Sequence, residues 1–376
     1  MKFAKRTDWP ADENALAKLS ARKKESGVPV IDLTESNPTR CGFAYLNSGL
    51  LKSFSAADNL RYEPDPHGLL SAREAVCRYY REKKITVSPE QIFLTAGTSE
   101  AYSFLFRLLV DPEKTVLAPS PGYPLFDTLA DLNDVRLVHY SLGEELPLAA
   151  DFRALITVNP NNPTGCFVSP EEKKQIDAFC RDHQAAVIAD EVFLDFALEG
   201  TAPVSFAAGG EALTFTLSGI SKILGLPQMK LSWIVVSGPE TVRRNAISRL
   251  EIIADTYLSV NTPSQNALAA WFGDSRPREE IVARCRSNLR YLKERLNQSD
   301  VFRVLPVAGG WYATLEIQNG KTDEELALDL LGKENTLVHP GYFFDFQKEN
   351  FLVLSLLPPT EVFKKGIERL HSCLCG

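Results

Sequence analysis

The sequence predicts an α/β protein in which a large domain built on a mainly parallel seven-stranded sheet is followed by a smaller α+β domain. Three observations lead there. Seven short β-branched apolar runs, each closed by a polar or glycine-containing turn, fall between residues 91 and 236. Helical patterns separate several of them, the alternation expected of a parallel sheet covered on both faces. After Thr262-Pro263 the pattern changes to a long helical stretch and then to a mixture of strands and amphipathic helices.

The seven strand candidates span residues 91–95, 115–118, 135–140, 154–158, 186–189, 213–217 and 233–236. Pro170 opens a helix in the stretch after the fourth, where its fixed φ and missing N–H cost nothing. The later helical stretch covers 264–298 with an interruption near 273–277, and the C-terminal part offers strands at 310–317 and 351–357 with helices at 323–331 and 361–371. Three segments result: residues 1–45 packing on the small domain, 46–265 forming the large domain, and 266–376 forming an interdomain helix with the small domain.

A chain of 376 residues with 44% hydrophobic and 24% charged content has enough apolar surface for two packed domains. The net charge of −7 argues against a nucleic-acid partner, which needs a basic face. The densest basic cluster, Arg22-Lys23-Lys24, sits beside Glu25 and reads as a solvated helix face. The first residues lack an apolar leader core, and no run of eighteen apolar residues occurs, so neither a secretory signal nor a membrane helix is expected. Seven cysteines without a disulfide rhythm suit a reducing compartment, and the cytoplasm is the expected location. Cys373-Leu-Cys375 lacks a further ligand set, and no metal site is expected.

In open parallel sheets, ligands sit at the carboxyl ends of the strands, where this sequence concentrates its unusual residues. Gly97, Thr98 and Ser99 end the first strand and open a helix, offering N–H groups and hydroxyls to a phosphate. Tyr123 lies in Pro119-Ser-Pro-Gly-Tyr-Pro124, where it can stack on a flat ring or simply pack in the turn. The segment Asn159-Pro-Asn-Asn-Pro-Thr-Gly165 is a rigid non-helical turn in which Asn162 can donate its amide to an anionic oxygen. Asp190 ends a strand that is apolar throughout, where a buried carboxylate needs a cationic partner. Lys222 closes Ser218-Gly-Ile-Ser-Lys222, between apolar segments that can lower its pKa enough for imine formation. Taken alone, a helix cap is the better explanation for the Gly-Thr-Ser turn, a structural role for Tyr123 and a solvent-reaching lysine for Lys222, whereas the Asn-Pro turn is much more specific.

Together, in this order and spacing, the five stretches resemble the class I (class I/II) aminotransferases, fold-type I enzymes that depend on pyridoxal 5′-phosphate (PLP). The resemblance runs from about Tyr62 to Ser355. It implies that Lys222 forms the Schiff base with the cofactor and carries the catalytic proton, and that Asp190 pairs with the pyridinium nitrogen. It further implies that Asn162 bonds the ring's phenolic oxygen, that Tyr123 stacks on the ring, and that Gly97, Thr98 and Ser99 hold the phosphate. Tyr62 matches a tyrosine that reaches the phosphate of a neighbouring subunit, so a homodimer is implied. The implied substrates are an amino acid and a 2-oxo acid.

Four departures bear on the reaction. Phe193 stands where the family usually places a tyrosine, and Gly219 where it often has a phosphate-binding serine, a role Ser218 or Ser221 can take over. Lys230 stands in place of an arginine on the phosphate. Val353 occupies the place of the arginine that grips the substrate carboxylate. Arg40 is the first candidate to replace that cation and His339 the second. The loss also raises a second reaction class, a PLP-dependent lyase, decarboxylase or cyclase. Retention of Lys222, Asp190 and Asn162 speaks against a PLP-binding module without turnover, and transamination is the expected activity.

Overall fold

A computed structural model describes residues 1–9, 13–45, 50–147, 151–200, 203–296 and 301–375. Residues 46 and 297–298, which bound segments in the sequence reading, lie outside the described residues. The chain begins with α1 (Ala15–Glu25) and β1 (Ile31–Asp32) and continues through α2 (Leu70–Glu82), β2 (Ile92–Thr95) and α3 (Thr98–Leu109). Next come β3 (Thr115–Ser120), α4 (Phe126–Leu132), β4 (Arg136–Ser141), β5 (Phe152–Val158) and α5 (Pro170–Asp182). The site-bearing stretch follows with β6 (Ala186–Asp190), β7 (Thr214–Gly219), α6 (Ile220–Ile223), β8 (Ser232–Ser237) and α7 (Glu240–Tyr257).

These strands form a seven-stranded sheet in the order β2-β8-β7-β6-β5-β3-β4. All are parallel except β8, which runs antiparallel to both of its neighbours. All seven expected strands are present; the reversal of β8 was not foreseen, because an apolar run carries no sign of its direction. β3, β6, β7 and β8 are buried at every position, which explains why they read as continuous apolar runs rather than alternating ones. One face packs Phe93, Ile156, Ile188, Phe215, Leu217 and Ile234 with α3 and α7 residues; the other packs Ile92, Leu94, Trp233 and Val235 with α2 and α8 residues. The edge strand β4 is the most exposed and reads most polar. At the entry to α5, Ser169 and Glu172 make a reciprocal capping box with Pro170 in the first turn.

The remainder comprises α8 (Thr262–Phe272), α9 (Arg276–Leu296), β9 (Phe302–Val304), β10 (Tyr312–Ile317), α10 (Asp323–Glu334), β11 (Thr336–Leu337), β12 (His339–Pro340), β13 (Phe351–Ser355) and α11 (Thr360–Cys375). A four-stranded sheet, β12-β13-β10-β9, is antiparallel throughout. Trp311, Ala313, Leu315, Leu352 and Leu354 enter a core shared with α9, α10 and α11. By alternation, Tyr312, Thr314 and Val353 occupy the opposite face. β1 pairs in parallel with β11, so the N-terminal segment is stitched to this part of the chain.

The loops that follow β5 and β6 are pinned to the segment before β10. The Gly165 carbonyl accepts from the N–H groups of Ala308 (3.1 Å) and Gly309 (2.9 Å), and Phe196 and Leu198 bond the same segment. Gly165 has φ +73°, and a Cβ there would meet the Gly309 carbonyl oxygen at 2.5 Å and Val307 Cγ1 at 2.9 Å. Both the left-handed backbone and the contact select glycine. Gly165→Ala is expected to cost about 2–4 kcal/mol, from the left-handed backbone penalty and the backbone overlap together. Denaturant titration checks this; a loss below about 0.5 kcal/mol, within the usual range of surface changes, would show that the contact relaxes freely.

Candidate active site

Thr95, Ser120, Val158, Asp190 and Gly219 end their strands at one edge of the large sheet, and reversed β8 begins there with Ser232. A cavity of about 190 Å³ opens at this edge. Its wall includes Thr98, Tyr123, Asn162, Asp190, Phe193 and Lys222, with Tyr312 and Ser36 closing it from the small sheet and the N-terminal segment.

Asp190 is buried at the end of β6. Its carboxylate accepts from the Tyr102 hydroxyl at 3.0 Å and from the Val192 N–H at 3.1 Å. Burial pushes its pKa up to about 6, against the opposing effect of those two donors and of Lys222. Lys222, in the single helical turn α6, is partly buried, and desolvation pulls its amine down to about 8 while Asp190 draws it up. The Lys222 ammonium lies 5.0 Å from the Trp311 ring centre and 5.4 Å from that of Phe193. Phe193 itself packs edge-on against Trp311 at 5.3 Å. Glu191, the neighbouring carboxylate, belongs to the scaffold: it accepts from Ser205 Oγ at 2.6 Å and Phe206 N at 2.5 Å.

The Asn-Pro turn divides its polar groups by task. Asn159 bonds Val204 and Val168, and Asn161 bonds Pro121 and Thr164, so both hold the loop. Asn162 faces the cavity, and its Oδ1 is buried without a partner among the described residues. At the other end, the hydroxyls of Thr98, Ser221 and Ser232 line the wall and hydrogen-bond no described residue. Lys230 Nζ stands 3.4 Å from where a Cβ on Gly97 would lie, beside the N-terminus of α3. This donor set fits a flat heteroaromatic ring with a phosphate at one end and a protonated nitrogen at the other: hydroxyls, a helix N-terminus and a lysine at the first, a buried carboxylate at the second.

A sequence profile described as aminotransferase class I and II matches residues 29–370. The chain belongs to that family. PLP is the family's cofactor, and this chain is a PLP-dependent aminotransferase. It is 27% identical over 376 residues to the glutamate-pyruvate aminotransferase AlaA of Haemophilus influenzae, covering 94% of this chain and 92% of the relative. It is 28% identical to an alanine aminotransferase of Mycobacterium tuberculosis, covering 94% and 88%. In fold it matches an alanine aminotransferase from Pyrococcus furiosus with a TM-score of 0.90 at 23% identity, all of both chains being covered.

Of the residues singled out in this aminotransferase by sequence, Thr98, Tyr123, Asn162, Asp190, Phe193, Ser221 and Lys222 converge on the cavity, and Gly97 and Lys230 stand together beside it. Ser99 is exposed on the outer side of α3 and does not line it. Ser218 is turned away, donating to the Glu191 carbonyl at 3.4 Å, which leaves Ser221 as the hydroxyl next to Lys222. Arg40 is outside the wall, its side chain 73% exposed and its ion pair to Glu35 as long as 3.9 Å. His339 is paired with Val353 across β12 and β13 but also lies outside the wall, and burial pulls its imidazole down to about 4, so it is neutral at physiological pH and a poor carboxylate ligand. Tyr62 is 73% exposed and belongs to a separate recess beside Leu258 and Ser259.

Tyr102, Ser232 and Tyr312 were missed. Tyr102 lies one helical turn after Thr98, so the helix start that offers Thr98 also aims Tyr102 at Asp190, a signal that spacing alone could have supplied. Nothing in the local sequence marks the other two.

Only a neutral amine attacks a carbonyl, so PLP capture by the cofactor-free enzyme should quicken as pH rises from about 7 to about 9, with its midpoint near 8. Asp190 is ionised across that window and favours charged Lys222, so Asp190→Asn should move the midpoint down. Stopped-flow absorbance measures both; a midpoint near the ordinary 10.5, or an upward shift in the variant, would contradict the electrostatics.

Proposed function

We propose that Lys222, Asp190 and Asn162 carry the transamination chemistry, moving an amino group between an amino acid and a 2-oxo acid. The observation that carries this is the lowered Lys222 amine, sharing one cavity with a buried carboxylate and a row of uncommitted hydroxyls. PLP, when bound, supplies an electron sink for the substrate's Cα. Lys222 anchors it covalently and carries the proton to and from that carbon. Asp190, fixed by Tyr102 and Val192, keeps the ring nitrogen protonated. Asn162 donates to the ring oxygen, a task Phe193 cannot share, and Tyr123 covers a ring face. The α3 N-terminus at Gly97 and Thr98, with Ser221 and Lys230, holds the phosphate.

Val353 is buried and His339 is neutral, so neither supplies charge for a substrate carboxylate. Arg40 lies four residues beyond the cavity-lining Ser36 and is held among the described residues only by its long pair to Glu35; it is the cation assigned to that carboxylate, on closing of its segment. Glutamate and alanine, the amino acids of the relatives' names, are the first donors to assay. Incubating the PLP form with single amino acids should convert it to pyridoxamine phosphate. Lys222→Ala should lose about 10²–10⁴-fold or more in that conversion, and Arg40→Ala should raise KM with a smaller effect on kcat. Borohydride labelling on a lysine other than Lys222, or full activity in Lys222→Ala, would reject the assignment.

Two further assignments belong to this reading. The unpaired cysteines and the absence of any membrane-length apolar helix among the described residues accord with the cytoplasm. A fractionation placing the enzyme outside the cytoplasm would refute that location. A second copy of the chain is the assigned partner: Tyr62 is remote from its own cavity, and Leu60, Leu70, Ile252 and Tyr257 leave apolar surface exposed. Sedimentation equilibrium should give a dimer. Mixing inactive Lys222→Ala with Tyr62→Ala should rebuild one complete site per hybrid and recover tight PLP binding; an active monomer, or no recovery in a proven hybrid, would reject the shared site.

A further inference from the structure

We infer that Ser232 is a phosphate-holding residue and that its hydroxyl has taken the place of a side chain at position 219. The inference rests on PLP being the cofactor. Gly219 ends β7 and Ser232 begins β8, and the two are cross-strand partners. A Cβ built on Gly219 would lie 2.2 Å from Ser232 Oγ and 2.8 Å from its Cβ, so the two positions compete for one volume and only one can carry a side chain there. In this chain Ser232 fills it.

Its placement suits a phosphate in three respects. Alternation puts Ser232 on the same sheet face as Ile234 and Val236, the face covered by α3, whose N-terminus begins at Thr98. On its other side Ser232 pairs with Thr95, two residues before Gly97, so it stands between the α3 entry loop and the loop that presents Ser221 and Lys222. Lys230, two residues upstream, brings its Nζ to Gly97.

The hydroxyl is also uncommitted. Ser232 is 1% exposed and lines the cavity, yet its Oγ hydrogen-bonds no described residue. That hydroxyl faces the cavity, and an anion placed there gives it a partner. Ser218, the other serine near this strand end, cannot do so, because it is turned to the Glu191 carbonyl. A role in packing alone would need only the volume, which alanine nearly matches.

The test is a PLP titration of cofactor-free protein, followed by absorbance, with pyridoxal as the phosphate-free control. Ser232→Ala should weaken PLP binding about tenfold to a hundredfold, the effect of one hydrogen bond to a charged group, and leave pyridoxal binding within about twofold. Ser232→Gly should show the same selective loss. The double variant Gly219→Ser with Ser232→Gly, which moves the hydroxyl back across the strand pair and leaves only the 2.9 Å approach to the residue-232 Cα to relax, should recover most of it. Unchanged PLP affinity in Ser232→Ala, equal losses for PLP and pyridoxal, or a double variant no better than Ser232→Gly would each overturn the inference. Wild-type protein that captures no PLP at all would instead overturn the cofactor assignment on which it rests.

Discussion

Asp190 ends a strand that is buried along its whole length, and its carboxylate is largely removed from solvent at the cavity wall. Much of the site can be understood as a response to that burial. Tyr102 and the Val192 N–H each donate to it, yet burial still wins and its pKa stays near 6. Lys222 is under the opposite pressure, its amine drawn down to about 8 by desolvation. Their attraction does not offset both desolvation penalties, which is usual for buried pairs. A ligand that presents a proton to Asp190 and a carbonyl to Lys222 relieves both groups at once, and that is the chemistry the cavity is built to accept.

Such a site works only if its walls do not drift, and the fold secures them through backbone bonds rather than long side chains. Gly165 receives two N–H groups from the segment before β10, and Phe196 and Leu198 are tied to the same segment. The turn that carries Asn162 and the loop that carries Phe193 are thereby fastened to the strand that delivers Tyr312. Asn159, Asn161 and Glu191 spend their polar groups on this scaffold, which leaves Asn162 and Asp190 free to face the cavity. Adjacent residues of one type thus have different jobs, decided by which way the turn points them.

Departures from the family pattern acquire different meanings once placed. Phe193 packs with Trp311 against Lys222, so the lost hydroxyl is replaced by an aromatic wall near an ammonium. Val353 is buried between Thr314 and His339 on the face of the small sheet opposite its core, so its own cross-strand neighbours there are uncharged. Gly219 is explained by its strand partner, since Ser232 already occupies the space a side chain there would need.

The sequence by itself determined the seven strands and the helix starts at Thr98 and Pro170, and it singled out Asn162, Asp190 and Lys222, which the fold brings to one cavity. Those features are local: apolar runs, capping patterns and strand-end turns are written within a few consecutive residues. Only the tertiary structure decided the reversed direction of β8, the pairing of Ser232 with Gly219, the arrival of Tyr102 at Asp190, and the exclusion of Arg40 and His339 from the cavity wall. Each depends on which segments lie side by side, which is set by the packing of residues far apart in the chain. The same packing gives Lys222 its lowered pKa, because that shift comes from the depth of burial and not from the residues on either side of it.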